Sequence, residues 1–302
     1  MQMFTGTPSK RNAMIMAVIM TVIWSSSFVV IKIGLNEIPA MPFAGLRYIM
    51  AFLFMLPWLI AKPAQQEIRM LKRRDWITLG ALGILTYPLN QGCLFLAMTY
   101  LPNTTISLIT NMGPVLVALL GWFWLDEKLN HWQMVGMAIT IAGALVFFLP
   151  VDWKVLSGLG VLFSCITLVS NSIGSVWTRK IMKGGIYPVL LVTGIPMGIG
   201  SILLAAGSGA LSWIPKISLQ VWGILLFLSL INTTIAFTVW NVALKRLTAF
   251  EANLISSTML VQIAIFSWFF LGEIITWKMA IGMALVLGGV ILVNARGKDK
   301  AR

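Results

Sequence analysis

The chain has 302 residues, of which 59% are hydrophobic and 10% charged, and its net charge is +13. A soluble domain carries about 25% charged residues, so this composition cannot furnish a water-facing surface and implies lipid as the solvent. Roughly 20 apolar residues cross a bilayer as a helix, so ten spans would use about 200 residues and leave short loops, with no room for a second soluble domain.

Taken in chain order, apolar segments at about 14–35, 41–61, 76–99, 104–125, 132–149, 156–178, 187–206, 219–244, 249–271 and 277–294 read as ten transmembrane helices. Helix is required in hydrocarbon, because an open strand leaves backbone groups unpaired. The first segment comes after a polar stretch and lacks a small-residue cleavage site, so it reads as a span, not as a removed signal. The 13 Trp and 26 Gly fit the same class, since Trp anchors at interfaces and Gly is common in spanning helices. Cys93 and Cys165 fall inside apolar segments and read as small core residues, not as a disulfide or a metal site.

The basic residues set the orientation. With the N-terminus in the cytoplasm, the inner segments hold Lys10, Arg11, Lys62, Arg69, Lys72, Arg73, Arg74, Lys128, Arg179, Lys180, Lys183, Lys245, Arg246 and the basic C-terminus. The outer ones hold Lys154, Lys216 and Lys278. This bias puts both termini inside a cell (inner) membrane and accounts for the net charge without nucleic acid.

The chain also repeats itself. At an offset of 146 residues Pro42 falls on Pro188, Ala97 on Ala243 and Leu101 on Leu247. Trp122-Phe123 falls on Trp268-Phe269, Glu127 on Glu273, Gly136 on Gly282 and Gly143 on Gly289. Apolar composition alone scatters Leu and Ile matches but does not align Trp, Glu, Pro and Gly in one register. The expected domains are five-helix halves, 1–149 and 150–302. Five is odd, so the second half enters the membrane inverted, an architecture of secondary transporters with the substrate near the midplane.

The residues also resemble a family. Trp24-Ser25-Ser26-Ser27-Phe28 with Lys32, and Pro42-Phe43-Ala44-Gly45-Leu46-Arg47, are similar to the first two helices of EamA-type members of the drug/metabolite transporter superfamily. Pro114, Leu125-Asp126-Glu127-Lys128-Leu129, Gly136 and Gly143 resemble the rest of its first repeat, and Ala243, Leu271-Gly272-Glu273, Gly282 and Gly288-Gly289 its second. The resemblance implies ten helices in two inverted repeats and export or exchange of amino acids or other metabolites. Leu260 departs from it, standing where the second repeat often has a proline as Pro114 does in the first.

Polar groups in lipid are costly unless paired or facing a cavity. Ser107 and Asn111 lie one turn apart, and so do their repeat mates Asn253 and Ser257. Thr21 and Ser25 likewise match Thr167 and Asn171. Tyr87, Asn90 and Gln91 share a face of the third segment, and Thr233, Phe237 and Trp240 one of the eighth. With Trp24, these residues are expected to line a substrate cavity; the alternative is interhelical hydrogen bonding. Asn232 and Asn241 lie close by. Amides suit amino or carboxylate groups, and aromatic rings suit an apolar portion. Lys32 and Arg47 read either as snorkelling cations, with Glu37 as an ion-pair partner, or as an outer patch attracting an anion. Glu251 reads either as a helix cap or as a carrier of a coupling proton. Pro114 reads as a bend that can serve gating, and Glu127 and Glu273 as structural residues at helix ends.

His131 is the sole histidine, and no phosphate-binding loop or acidic pair is visible, so no metal, cofactor or catalytic residue is expected. The expected function is a non-enzymatic secondary transporter of small polar or amphipathic metabolites, such as an amino-acid exporter. It would alternate access around a central cavity, with protons as a coupling option. A membrane enzyme on lipid-linked substrates, or a non-transporting scaffold, is the alternative. The expected partners are the substrate and the bilayer, for a monomer or a homodimer.

Overall fold

The computed structural model describes residues 7–101, 103–148, 157–185, 187–271 and 274–296, and these contain helices and turns but no strand. Among the described residues, seven helical runs are long and apolar enough to cross a membrane: Lys10–Ile31, Ala40–Leu59, Arg73–Tyr100, Gly158–Gly184, Val189–Ser208, Leu219–Ala243 and Ala249–Phe270. Gly113–Leu125, His131–Phe147 and Trp277–Val293 are shorter apolar helices.

The helices are α1 Lys10–Gly34, α2 Ala40–Leu59, α3 Lys62–Met70, α4 Arg73–Ile84, α5 Cys93–Tyr100, α6 Asn103–Thr110, α7 Gly113–Leu125 and α8 His131–Phe148. After these come α9 Gly158–Gly184, α10 Val189–Ser208, α11 Leu219–Phe227, α12 Ala236–Ala243, α13 Ala249–Ser256, α14 Met259–Leu271 and α15 Trp277–Arg296. Several starts carry the caps that orphan N–H groups need. The hydroxyls of Ser9 and Ser218 accept from Asn12 N and Val221 N. Thr248 and Glu251 form a reciprocal capping box at α13.

Two features depart from the smooth helices expected. First, α4 continues into α5, and α11 into α12, through π-helical segments Leu85–Gly92 and Leu228–Ile235. Second, two runs break at equivalent places, Asn111-Met112 between α6 and α7 and Ser257-Thr258 between α13 and α14. Pro114 sits in the first turn of α7, where its missing N–H costs nothing. The second break forms without a proline, because Thr258 Oγ1 bonds back to Ile255 O and its N–H also turns to Ile255 O. A short amphipathic helix, α3, occupies what reads as a loop.

The α8–α15 crossing carries the repeat into three dimensions. A Cβ on Gly289 would meet the Gly136 carbonyl oxygen at 2.5 Å, and one on Gly143 the Gly282 carbonyl oxygen at 2.8 Å. The early glycine of each helix therefore meets the late glycine of the other, so the helices run antiparallel, and the 146-residue offset exchanges the two contacts. Small residues let backbones approach closely where hydrophobic driving force between helices is absent. The outer surface follows the same offset: Trp122 and Trp268 are 51% and 55% exposed, Phe123 and Phe269 73% and 71%. These repeat mates are thus exposed to similar extents on the outer surface.

Inside, α10 is the hub. Gly194 and Gly198 receive Leu59 and Phe52 of α2, while Gly200 packs against Tyr87 and the Gly83 carbonyl. Phe43, Tyr48, Phe95, Leu191 and Met197 fill the core around it and are at most 1% exposed.

Candidate functional site

Among the described residues the bundle holds a cavity of about 460 Å³, within the range of small-molecule sites. Its walls come from α1, α2, the α4–α5 run, α6, α9, α10, α12, α13 and α14, so both sequence halves build it.

One wall is aromatic. Trp24 lies 5.0 Å from Trp240 and 5.5 Å from Phe237 between ring centroids. Phe237 continues to Tyr87 at 6.3 Å, and Tyr87 to Tyr48 at 5.2 Å. Amide and hydroxyl groups line the cavity as well: Asn90, Gln91, Thr167, Asn171, Asn241, Asn253 and Ser256, with Gln91 Oε1 accepting from the Tyr48 hydroxyl at 2.7 Å. Asn90 Nδ2 donates to Asn171 Oδ1 at 3.2 Å, and Asn241 Nδ2 to Thr193 Oγ1 at 2.9 Å.

The π segments explain why these groups can converge. A wider turn uncouples carbonyls from the helical ladder, and each freed group must find a partner. Thr233 Oγ1 donates to Leu228 O, and Thr234 Oγ1 to Ser229 O. Asn232 O accepts from Trp24 Nε1 at 2.9 Å, which fixes the indole in the cavity wall. In the first half, Asn90 O accepts from Thr167 Oγ1 at 3.2 Å. The segments thereby tie the α4–α5 run to α9 and the α11–α12 run to α1 and α2; Thr86, Tyr87, Asn90 and Gln91 of the first segment line the cavity. Asn232 Oδ1 is buried without a partner among the described residues, although its Nδ2 donates to Ile23 O.

Arg47 is 5% exposed yet lines the cavity. Its Nε donates to Thr233 Oγ1 at 3.1 Å, its backbone carbonyl accepts from Ser229 Oγ, and its guanidinium lies 5.3 Å from the Tyr48 ring centroid. Glu37 is not its partner: that carboxylate accepts from the backbone N–H and the hydroxyl of Ser218, bonds that hold its pKa below the ordinary value. Arg47 therefore does not snorkel. No carboxylate pairs with it among the described residues.

Of the residues singled out in the sequence, Trp24, Arg47, Tyr87, Asn90, Gln91, Thr167, Asn171, Trp240 and Asn253 line this cavity. Ser25, Thr233 and Ser257 do not. Ser25 Oγ donates to Gln262 Oε1, whose Nε2 reaches Thr21 and Thr258, so this polar set closes the α1–α14 seam. Thr233 is held between Leu228 O and Arg47, and Ser257 bonds back to Asn253 O. Asn111 lies in the break before α7, and Pro114 just after it. The side chains of Ser107 and Lys32, and all of Glu273, lie outside the described residues. Gln262 escapes the sequence reading, because its mate in the first repeat is the apolar Leu116. Asn241, four residues after Phe237, joins the cavity wall, as does Phe237 itself.

At one end of the bundle, charges gather. Arg179 Nε lies 3.3 Å from Glu127 Oε1 and its Nη1 donates to Leu244 O at 2.7 Å; Lys183 lies 3.7 Å from the same carboxylate. These contacts join the ends of α7, α9 and α12. Glu251 accepts from Lys10 Nζ at 2.7 Å and from Thr248 N at 3.0 Å, so it caps α13 and ties it to the start of α1. Burial lowers the nearby Lys245 pKa. Among the described residues no His, Cys, Asp or Glu cluster could hold a metal.

An all-helical bundle with several helices apolar and long enough to cross a bilayer is a multi-pass membrane protein. The model of the EamA-like transporter family matches residues 11–149 and again 158–295; the chain belongs to that family. It is 25% identical over 299 residues to "Uncharacterized transporter YvbV" of Bacillus subtilis (strain 168), covering 96% of this chain and 94% of that protein. It is 23% identical over 291 residues to a "Probable amino-acid metabolite efflux pump" of Escherichia coli (strain K12), covering 93% and 94%. A "Probable terminal-alkyne amino-acid exporter" of Streptantibioticus cattleyicolor is 24% identical over 315 residues, covering 97% of each. A crystal structure of another protein superposes with a TM-score of 0.76 at 19% identity, covering 95% of this chain and 99% of that one, a likeness of fold.

Proposed function

We propose that the protein is a secondary transporter that moves amino acids or related small amphipathic metabolites, in the direction of export, by alternating access around the central cavity. The observation that carries this reading is that one cavity of about 460 Å³ is walled by helices of both sequence halves. In this reading the three shorter apolar helices also span, giving ten spans in inverted halves 1–149 and 150–302. The reciprocal antiparallel glycine contacts of α8 and α15 support that inversion. The positive-inside bias supports an inner-membrane protein with both termini cytoplasmic. The Arg179–Glu127 and Lys10–Glu251 pairs would then close the cytoplasmic end. Trp24, Tyr87, Asn90, Gln91, Thr167, Asn171, Trp240 and Asn253 would touch the substrate, and Pro114 would bound a hinge. The names of two relatives describe amino-acid metabolite efflux and terminal-alkyne amino-acid export.

The test is uptake of a labelled amino-acid mixture by proteoliposomes, with and without an imposed pH gradient. Saturable uptake above empty vesicles is the expected result, and gradient acceleration would make protons the coupling ion. No uptake by folded protein, with or without preloaded unlabelled amino acids, overturns the reading.

A further inference from the structure

Among the described residues that line the cavity, Arg47 is the one with a formal charge, and none carries a carboxylate. A desolvated cation without a counter-ion is unfavourable in a low-dielectric interior, and a guanidinium presents a fork that matches a carboxylate with two parallel bonds. Thr233 takes the Nε–H of Arg47. That bond anchors the side chain and leaves the two Nη groups without an acceptor among the described residues. From the guanidinium the rings run on without a gap: Tyr48, Tyr87, Phe237, Trp24, Trp240.

We propose that Arg47 is the carboxylate-binding residue of the cavity and that the substrate is a monocarboxylate whose apolar or aromatic remainder lies along this chain of rings. The inference rests on the cavity being the substrate site. It deepens that reading by excluding cations: an amine without a carboxylate meets an unpaired guanidinium and no acid. Arg47 is thus a specificity-determining residue, and Thr233 positions it.

The experiment is equilibrium binding to the purified full chain by calorimetry, with phenylacetate, its neutral isostere phenylacetamide, phenethylamine and phenyl phosphate. Phenylacetate should bind the wild type about ten- to a hundredfold more tightly than phenylacetamide, the range expected for hydrogen bonds to a charged group. Phenethylamine should bind no better than the amide. Arg47→Gln should abolish the difference, and Arg47→Lys should keep part of it. Equal affinity for acid and amide, binding of neither, or binding of phenyl phosphate but not phenylacetate overturns the assignment. The wild-type pair decides the matter even if Arg47→Gln fails to fold, and Thr233→Val, which keeps the charge but frees it, should narrow the difference. Counterflow in proteoliposomes separates the two readings. Selective acid binding without counterflow upholds Arg47 and removes the transport reading. Equal counterflow of acid and amide upholds transport and removes the Arg47 assignment.

Discussion

Ser25 and Asn171 occupy equivalent places in the two repeats, each one turn after a threonine, yet they do different work. Ser25 is fully buried against Gln262, while Asn171 lines the cavity and accepts from Asn90. Ser25→Ala should therefore lower the unfolding midpoint, by the equivalent of about 0.6–1.5 kcal/mol for a hydrogen bond in a membrane bundle, and leave the substrate KM within about twofold. Asn171→Ala should raise KM about tenfold, as for loss of one polar contact, with little change in midpoint. Detergent thermal melts and uptake kinetics on both variants check the contrast. The repeat offset identifies both residues as polar positions but cannot tell seam from cavity, because the deciding partner, Gln262, has an apolar repeat mate. Arg47 is legible in the sequence as a cation near the membrane; its burial is not, because that depends on Thr233 and Ser229 arriving on a π segment.

The helices themselves are legible from apolar length, and so is the Gly136, Gly143, Gly282, Gly289 register. What the sequence conceals is local: the π segments, the break before Met259 without a proline, and α3. An α-helical period assigns Thr233, Phe237 and Trp240 to one face, but an inserted π residue rotates the downstream residues by about 100°, so Thr233 points to α2 while Phe237 and Trp240 face the cavity. The glycine crossing gives an element-level test. Gly289→Ala should destabilise by about 1–3 kcal/mol, the usual cost of overpacking, because its Cβ would press on Thr140 and the Gly136 carbonyl. Gly288→Ala is the control, since a Cβ there meets nothing within 4 Å, and its melting temperature should equal or exceed that of the wild type.

At the scale of the molecule, the polar and aromatic cavity is walled by helices of both sequence halves, α8 and α15 cross reciprocally, and the charged contacts gather at one end. If those contacts hold that end shut, Glu127→Gln should loosen it. It removes the acid shared by Arg179 and Lys183 but leaves the Arg179 bond to Leu244 O. Thr178→Cys, one residue from Arg179 and on the cavity wall, should then react several-fold faster with a membrane-impermeant maleimide applied from that side, in a background with Cys93 and Cys165 replaced by Ala. An unchanged rate would mean that the ion pair is not the barrier.

Alternating access is tested most directly by labelling a single cysteine at Asn171 with the same impermeant maleimide in right-side-out and inside-out vesicles. A cavity that opens in turn to each side predicts labelling in both preparations, with a saturating substrate changing the two rates in opposite directions. Labelling from one side alone, unchanged by substrate, would contradict it.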